Sequence, residues 1–266
     1  MRELNRRLAV AGALALTALS GIAAAQEKTA APAAATKVKP SGYLPADKPL
    51  AGTLFLPPFP ARGSAAEAYD IAAWREALKG ADSPRWKQAI ADHPVGLGQG
   101  VTQFQCALGV TLTVKNAPTL LKLMSTMQLD VHWAVEHAKA HFKRPRPFAD
   151  TPDTPICLPV PKEKRSKVSS AYPGGHSTLG MAWGLVLAEL APDRAGAVMA
   201  RVHDYSQSRL VCGIHYPSDL EAGHMLGAAL VARLRAEPAF RADLDAARAE
   251  VATARRSASA PAGCAG

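Results

Sequence analysis

The chain has 266 residues, 48% of them hydrophobic and 20% charged, with a formal net charge of +9. Such length suits one sizeable domain with a real core, and the basic balance favours anionic partners through long-range steering. It shows no helix-turn-helix, zinc-finger or aromatic-basic pattern that would turn this charge into a nucleic-acid role, and beyond the N-terminus no run reaches the roughly 18 uninterrupted apolar residues of a membrane span.

Residues 1–25 read as a secretory signal peptide. Arg2, Arg6 and Arg7 form a basic start, an apolar run follows from Leu8 to Leu19, and Ala23, Ala24 and Ala25 offer a small-residue cleavage site before Gln26. Its removal takes away three Arg and one Glu, so the charge falls from +9 to +7. The expected location is the periplasm, with no membrane span after cleavage. Residues 26–53 are rich in Ala, Pro, Lys and Thr and read as a flexible leader.

Helical periodicity then takes over. Residues 65–78 and 84–91 read as short amphipathic helices, and 117–141 as a long one carrying Leu120, Leu121, Met124, Met127, Val131 and Val135. Arg144-Pro145-Arg146-Pro147 must be extended, because each proline pushes its predecessor out of the α region. Residues 151–172, Pro-rich and then Lys/Arg-rich, predict an overhanging loop in which 162–167 is a solvated basic run. Helices return from Gly175 or His176 to Leu190, from Pro192 to about Ser208, from Pro217 to about Leu234 and over 239–254, and 255–266 reads as a flexible tail. No strand alternation and no internal repeat is visible. The expectation is an all-α fold, a single compact helical domain over 54–254.

Cys106, Cys157, Cys212 and Cys264 make an even set in an exported context, so disulfides are expected, with three pairings open. Cys212, three residues before His215, also suits a buried free thiol. No C-x-x-C pair argues for structural zinc. His137 and His141 have metal-binding i, i+4 spacing on a helix but lack an obvious third ligand, and His132, His203 and His224 read as surface or satisfied core histidines.

Three segments carry the chemistry. Lys139 to Pro147 reads K-x6-R-P; Pro173-Gly174-Gly175-His176 is a turn that opens a helix; Ser208 to Asp219 reads S-R-x5-H-x3-D. Alone, a His-x3-Asp is more often a helix-start hydrogen bond, and Lys139 with Arg146 would suit a solvated basic face, since Lys143 and Arg144 lie between them. Together the segments supply three cations, two histidines, a carboxylate and a helix N-terminus. Arg presents a planar fork to phosphate oxygens, Lys a point charge, and the helix start free N–H groups. That set describes an oxyanion site with a histidine placed to attack.

These motifs resemble the phosphatidic-acid-phosphatase type 2 superfamily, whose signature is K-x6-R-P, P-S-G-H and S-R-x5-H-x3-D, and within it the secreted class A non-specific acid phosphatases of bacteria. The likeness runs from Leu56 to about Arg248. It departs at Gly174, where the family has serine, so a phosphate-contacting hydroxyl is missing while the backbone N–H is expected to serve. The resemblance implies that His215 is the nucleophile, Asp219 its orienting carboxylate and His176 the general acid and base. Lys139, Arg146, Arg209, Gly174 and Gly175 would hold the phosphate, without a metal or other cofactor. It further implies small phosphorylated substrates and a homo-oligomer. Related sites hold vanadate in haloperoxidases, which are longer chains; the lipid-phosphate phosphatases have membrane helices that are not visible here; and a noncatalytic phosphate binder would have no need of His176 as acid.

Overall fold

The computed structural model describes residues 40–266 apart from 97, 98, 152, 258, 260, 265 and 266. The expected signal peptide, and the leader as far as residue 39, lie outside the described residues. Among the described residues the chain forms α1 (Ala65–Leu78), α2 (Pro84–Ala91), α3 (Gln99–Leu108), α4 (Pro118–Phe142), α5 (Gly175–Leu190), α6 (Ala195–Val211), α7 (Pro217–Leu234) and α8 (Pro238–Ser257), with no strand. The fold is all-α. Short 3-10 turns occupy Gly52–Leu54, Lys162–Lys167 and Pro192–Arg194.

Local chemistry explains the helix starts. Ser64 Oγ accepts the Glu67 N–H at 3.1 Å and Ser83 Oγ the Trp86 N–H at 3.2 Å, each satisfying a donor with no intrahelical partner. Pro84, Pro118 and Pro217 take first-turn positions, where a missing N–H costs nothing. The Glu250 carboxylate of α8 accepts the N–H groups of Thr119 and Leu120 at 3.0 Å each, capping the long α4 from outside.

The core gathers Leu120, Leu123 and Met127 of α4, Trp183 and Leu187 of α5, Leu226 and Leu230 of α7, and Phe240 of α8, all buried. Each such side chain contributes about 1.5–3 kcal/mol on burial. Within it α5 and α7 lie unusually close. A Cβ on Gly223 would sit 2.6 Å from the Gly174 carbonyl and one on Gly227 2.5 Å from that of Thr178, so only glycine allows this approach. The N-termini of the two helices, which carry His176 and Asp219, are thereby brought side by side.

Three expectations need correction, and one helix had none. Residues 40–53 are not a free leader: the Tyr43 and Leu44 N–H groups both donate to the buried Asp130 carboxylate at 2.9 Å, and Leu44 is buried. Helix α3 carries no expectation from sequence, although Val101, Phe104 and Leu108 bury one face of it; Gly96, Gly98 and Gly100 mask the period. Cys212 is not a free thiol but bonds Cys157, and Cys106 bonds Cys264, which ties down the tail beyond α8. Arg165, inside the basic run, is buried and donates to the Thr154 carbonyl at 2.6 Å.

Candidate active site

The C-terminal turn of α4 places Lys139, and Lys143 then adopts the left-handed conformation (φ 53°) that ends the helix. From there Arg144-Pro145-Arg146-Pro147 runs outside helical structure, as the paired prolines require. The starts of α5 and α7 and the end of α6 face this segment. A cavity of ≈ 200 Å³ opens where they meet. Lys139, Arg146, Gly175, His176, His215 and His93 form its polar lining, and Phe148, Leu158, Val160, Val168 and Ile214 its apolar wall.

His215 is buried, and its orientation is set by Asp219. As the third residue of α7, Asp219 reaches back so that Oδ2 accepts the Tyr216 N–H at 2.8 Å. The same oxygen lies 3.2 Å from His215 Nδ1. A carboxylate there requires the proton on Nδ1, which leaves the Nε2 lone pair to accept from Arg146 Nη1 at 2.7 Å. Burial, reinforced by Arg146 and Lys139, holds the ring well below the usual histidine value of 6.5. Nε2 therefore stays a neutral nitrogen with a lone pair even in mild acid. Burial pushes the Asp219 carboxyl up, while Arg144 and the Tyr216 N–H pull against that push.

The cations are costly to hold where they are. Burial, with Arg146 nearby, brings the Lys139 ammonium down to about 8. Burial also lowers Arg146 and Arg209 to about 10. Arg209 is fully buried; Nη2 donates to the Ala89 carbonyl at 2.5 Å, Nη1 lies 3.3 Å from His93 Nδ1, and Nε has no partner. Such crowding of like charges is what an anion relieves.

His176 opens α5 half-buried, its Nε2 2.8 Å from the His93 carbonyl. Because a carbonyl only accepts, Nε2 carries a proton and Nδ1 is the atom that gains or loses one. The His93 ring stacks on His176 with centroids 5.5 Å apart and 16° between planes. Burial and then Arg209 hold His176 well below 6.5 in the protein itself, so a charged His176 requires a phosphoryl anion beside it. Gly174 corrects an expectation. Its N–H is already donated to the Asp219 carbonyl at 2.8 Å, so it is not available to phosphate. The first-turn N–H groups from Gly175 onward have no intrahelical acceptor and remain the backbone donors of this site.

Lys139, Arg146, Gly175, His176 and His215 thus line one cavity, Asp219 stands behind His215, and Arg209 backs His93. His137 and His141 are exposed, and among the described residues no cluster of three His, Cys, Asp or Glu is arranged to hold a metal ion. Sequence reasoning missed His93, which has no motif around it. It also gave no role to Arg144, which is only 5% exposed and bonded to Asp219 Oδ1 at 2.6 Å and Asp70 Oδ2 at 2.7 Å. The Arg-Pro-Arg-Pro pattern does not raise it, since residues two steps apart on extended chain share one side and nothing in the spacing separates Arg144 from Arg146.

Residues 119–239 match the PAP2 superfamily. The chain is 36% identical to an acid phosphatase of Zymomonas mobilis over 208 residues, 78% of each chain. It is 35% identical to a non-specific acid phosphatase of Salmonella typhimurium, over 74% of this chain and 78% of that one. With a non-specific acid phosphatase of Providencia stuartii it shares 32% identity, over 80% and 86% of the two chains. Family, enzyme class and the convergence of two imidazoles with three cations agree: the chain belongs to the acid phosphatases of the PAP2 superfamily.

Proposed function

We propose that this phosphatase is a periplasmic, broad-specificity phosphomonoesterase that works through a phosphohistidine on His215, without a metal. The supporting observation is the pairing of His215 Nδ1 with Asp219 at 3.2 Å, which leaves Nε2 as a neutral nucleophile beside Arg146 in a cavity also lined by Lys139 and His176.

Nε2 attacks phosphorus in line as the bond to the ester oxygen breaks. The positive charge that develops on the ring is met by Asp219. His176, protonated because the substrate dianion lies against it, gives that proton to the departing alkoxide. Water then attacks the phosphohistidine, His176 takes its proton, and inorganic phosphate leaves with His215 neutral again. Lys139, Arg146, Arg209 and the first-turn N–H groups of α5 stabilise the equatorial oxygens, which is most of what phosphoryl transfer asks of a protein. The signal-like residues 1–25 support export, and the subunits are expected to associate as homo-oligomers.

The test is hydrolysis of p-nitrophenyl phosphate by the mature protein in EDTA from mildly acidic to neutral pH, with His215→Ala alongside. Turnover that survives chelation and vanishes in the variant supports the scheme; EDTA-sensitive turnover refutes it. Cell fractionation checks the location, and sedimentation the oligomer.

A further inference from the structure

Arg144 lies outside the phosphate cradle, yet its guanidinium is committed to buried partners beside it. Nη1 donates to Asp219 Oδ1 at 2.6 Å and to Ser218 Oγ at 2.8 Å, and Nη2 to Asp70 Oδ2 at 2.7 Å. Both carboxylates are buried, with side chains 0% and 1% exposed. Asp70 belongs to α1 and also fixes the start of α7, accepting the Ser218 N–H at 3.1 Å and its hydroxyl at 2.5 Å. The guanidinium also lies 4.4 Å from the Tyr216 ring centroid and 5.2 Å from that of Phe59. Three other segments thus converge on one guanidinium, whose innermost contact is the carboxylate that orients His215.

Resting on the phosphohistidine reading, we infer that Arg144 is a positioning residue for catalysis: it holds Asp219 in the orientation that fixes His215, and Asp70 divides its charge.

The reason is electrostatic. Asp219 must remain ionised in a dry site and must also present net negative charge to a ring that becomes cationic. Arg144 alone would satisfy the first need and cancel the second. Shared with Asp70, it stabilises both carboxylates and leaves the group with one net negative charge facing His215. A buried pair with one partner removed leaves an uncompensated charge, which is why neither acid is free to vary alone. The other groups facing His215 are Lys139 of α4, Arg146, Arg209 of α6 and His176 of α5. All remain in place in the variants below.

The experiment compares Arg144→Met and Asp70→Asn with the parent full-length mature protein. The readouts are the pH dependence of kcat for p-nitrophenyl phosphate, Ki for inorganic phosphate, and the downfield ring N–H resonance of His215, identified by its loss in His215→Ala. Removing the cation is expected to lower kcat about 100-fold, the cost of a slightly misplaced nucleophile. Ki should change little, the acid limb should move to higher pH, and the resonance should be lost. Asp70→Asn should move the acid limb the other way, because an undivided Arg144 lowers the protonation of both Asp219 and His215. Opposite shifts are a signature that damage to the fold alone would not give. If Arg144→Met does not fold, the direction of the Asp70→Asn shift decides. Parental pH profiles in the folded variants, or losses of kcat and phosphate affinity in proportion without a shift, overturn the inference. A parent without turnover sinks the phosphatase reading instead, and the resonance still reports whether Arg144 holds the Asp219–His215 pair.

Discussion

Arg146 Nη1 lies 2.7 Å from His215 Nε2, so a guanidinium N–H caps the lone pair that the proposed scheme sends to phosphorus. In that scheme the cap must be withdrawn before reaction, and a phosphoryl group is suited to draw it off, since its oxygens match the fork of the guanidinium. Substrate binding and nucleophile release become one event. Arg146→Lys keeps the charge and loses the fork. It is expected to cost about 2 kcal/mol, near thirtyfold in kcat/KM, the worth of a hydrogen bond to a charged group. Steady-state kinetics check this; an unchanged kcat/KM would show that a point charge suffices.

The two histidines should write opposite limbs of the pH profile. In the proposed scheme His215 acts neutral, and burial with Arg146 and Lys139 holds it well below 6.5, so the acid limb is expected below that value. His176 in the same scheme acts charged. Burial and Arg209 depress it, and only the bound dianion restores its proton, so the alkaline limb of kcat belongs to the enzyme–substrate complex. Removing His176 as His176→Ala should therefore flatten the alkaline limb. The loss should be about 100-fold or more for an alkyl phosphate and smaller for p-nitrophenyl phosphate, whose leaving group needs less help. Equal losses on both substrates would refute the general-acid role.

Most of the fold was legible because its helices announce themselves locally. Ser64 and Ser83 mark starts, Pro217 another, and Leu120 to Val135 a long apolar stripe. The residues of the candidate site were legible for a different reason, since Lys139, Arg146, His176, His215 and Asp219 fall at fixed spacings within three short segments. What stayed hidden depends on contacts between distant segments. Asp70 and Arg144 meet across 74 residues, and His93 reaches His176 across 83. Gly174 shows the limit from the other side. Its identity was plain, but that its N–H is consumed by the Asp219 carbonyl follows only from the close approach of α5 and α7.

The two disulfides should matter differently. Cys157–Cys212 ties the loop that carries Leu158, Val160 and Val168 of the cavity wall to the end of α6, three residues before His215. Cys106–Cys264 ties the tail to α3, away from the cavity. Loop closure over 55 and 158 residues predicts stabilisation of about 4 and 5 kcal/mol at most. The double variant Cys157→Ser with Cys212→Ser should thus lose both melting temperature and kcat, whereas Cys106→Ser with Cys264→Ser should lose melting temperature alone. Thermal melts and p-nitrophenyl phosphate kinetics on both separate the cases, and equal kinetic damage would contradict them.

Gly174→Ser asks what the absent hydroxyl was worth. The backbone at Gly174 is extended (φ −69°, ψ 111°), a conformation serine adopts freely, so the cost is steric. An added Cβ would lie 3.0 Å from the Asp219 carbonyl oxygen and 3.2 Å from Ser177 Oγ, which is buried without a partner. The carbonyl must yield by a few tenths of an ångström, and it belongs to the residue that orients His215. The gain is a hydroxyl at the start of α5, able to cap the helix and to meet a phosphate oxygen. A hydrogen bond to a charged group contributes about 1.5 kcal/mol, or roughly tenfold in affinity. Tighter inhibition by inorganic phosphate with a lower kcat is therefore expected: the anion is held better while Asp219 is displaced. Competitive inhibition measured beside kcat tests both halves, and a variant matching the parent in each would show that position 174 sets neither affinity nor the placement of Asp219.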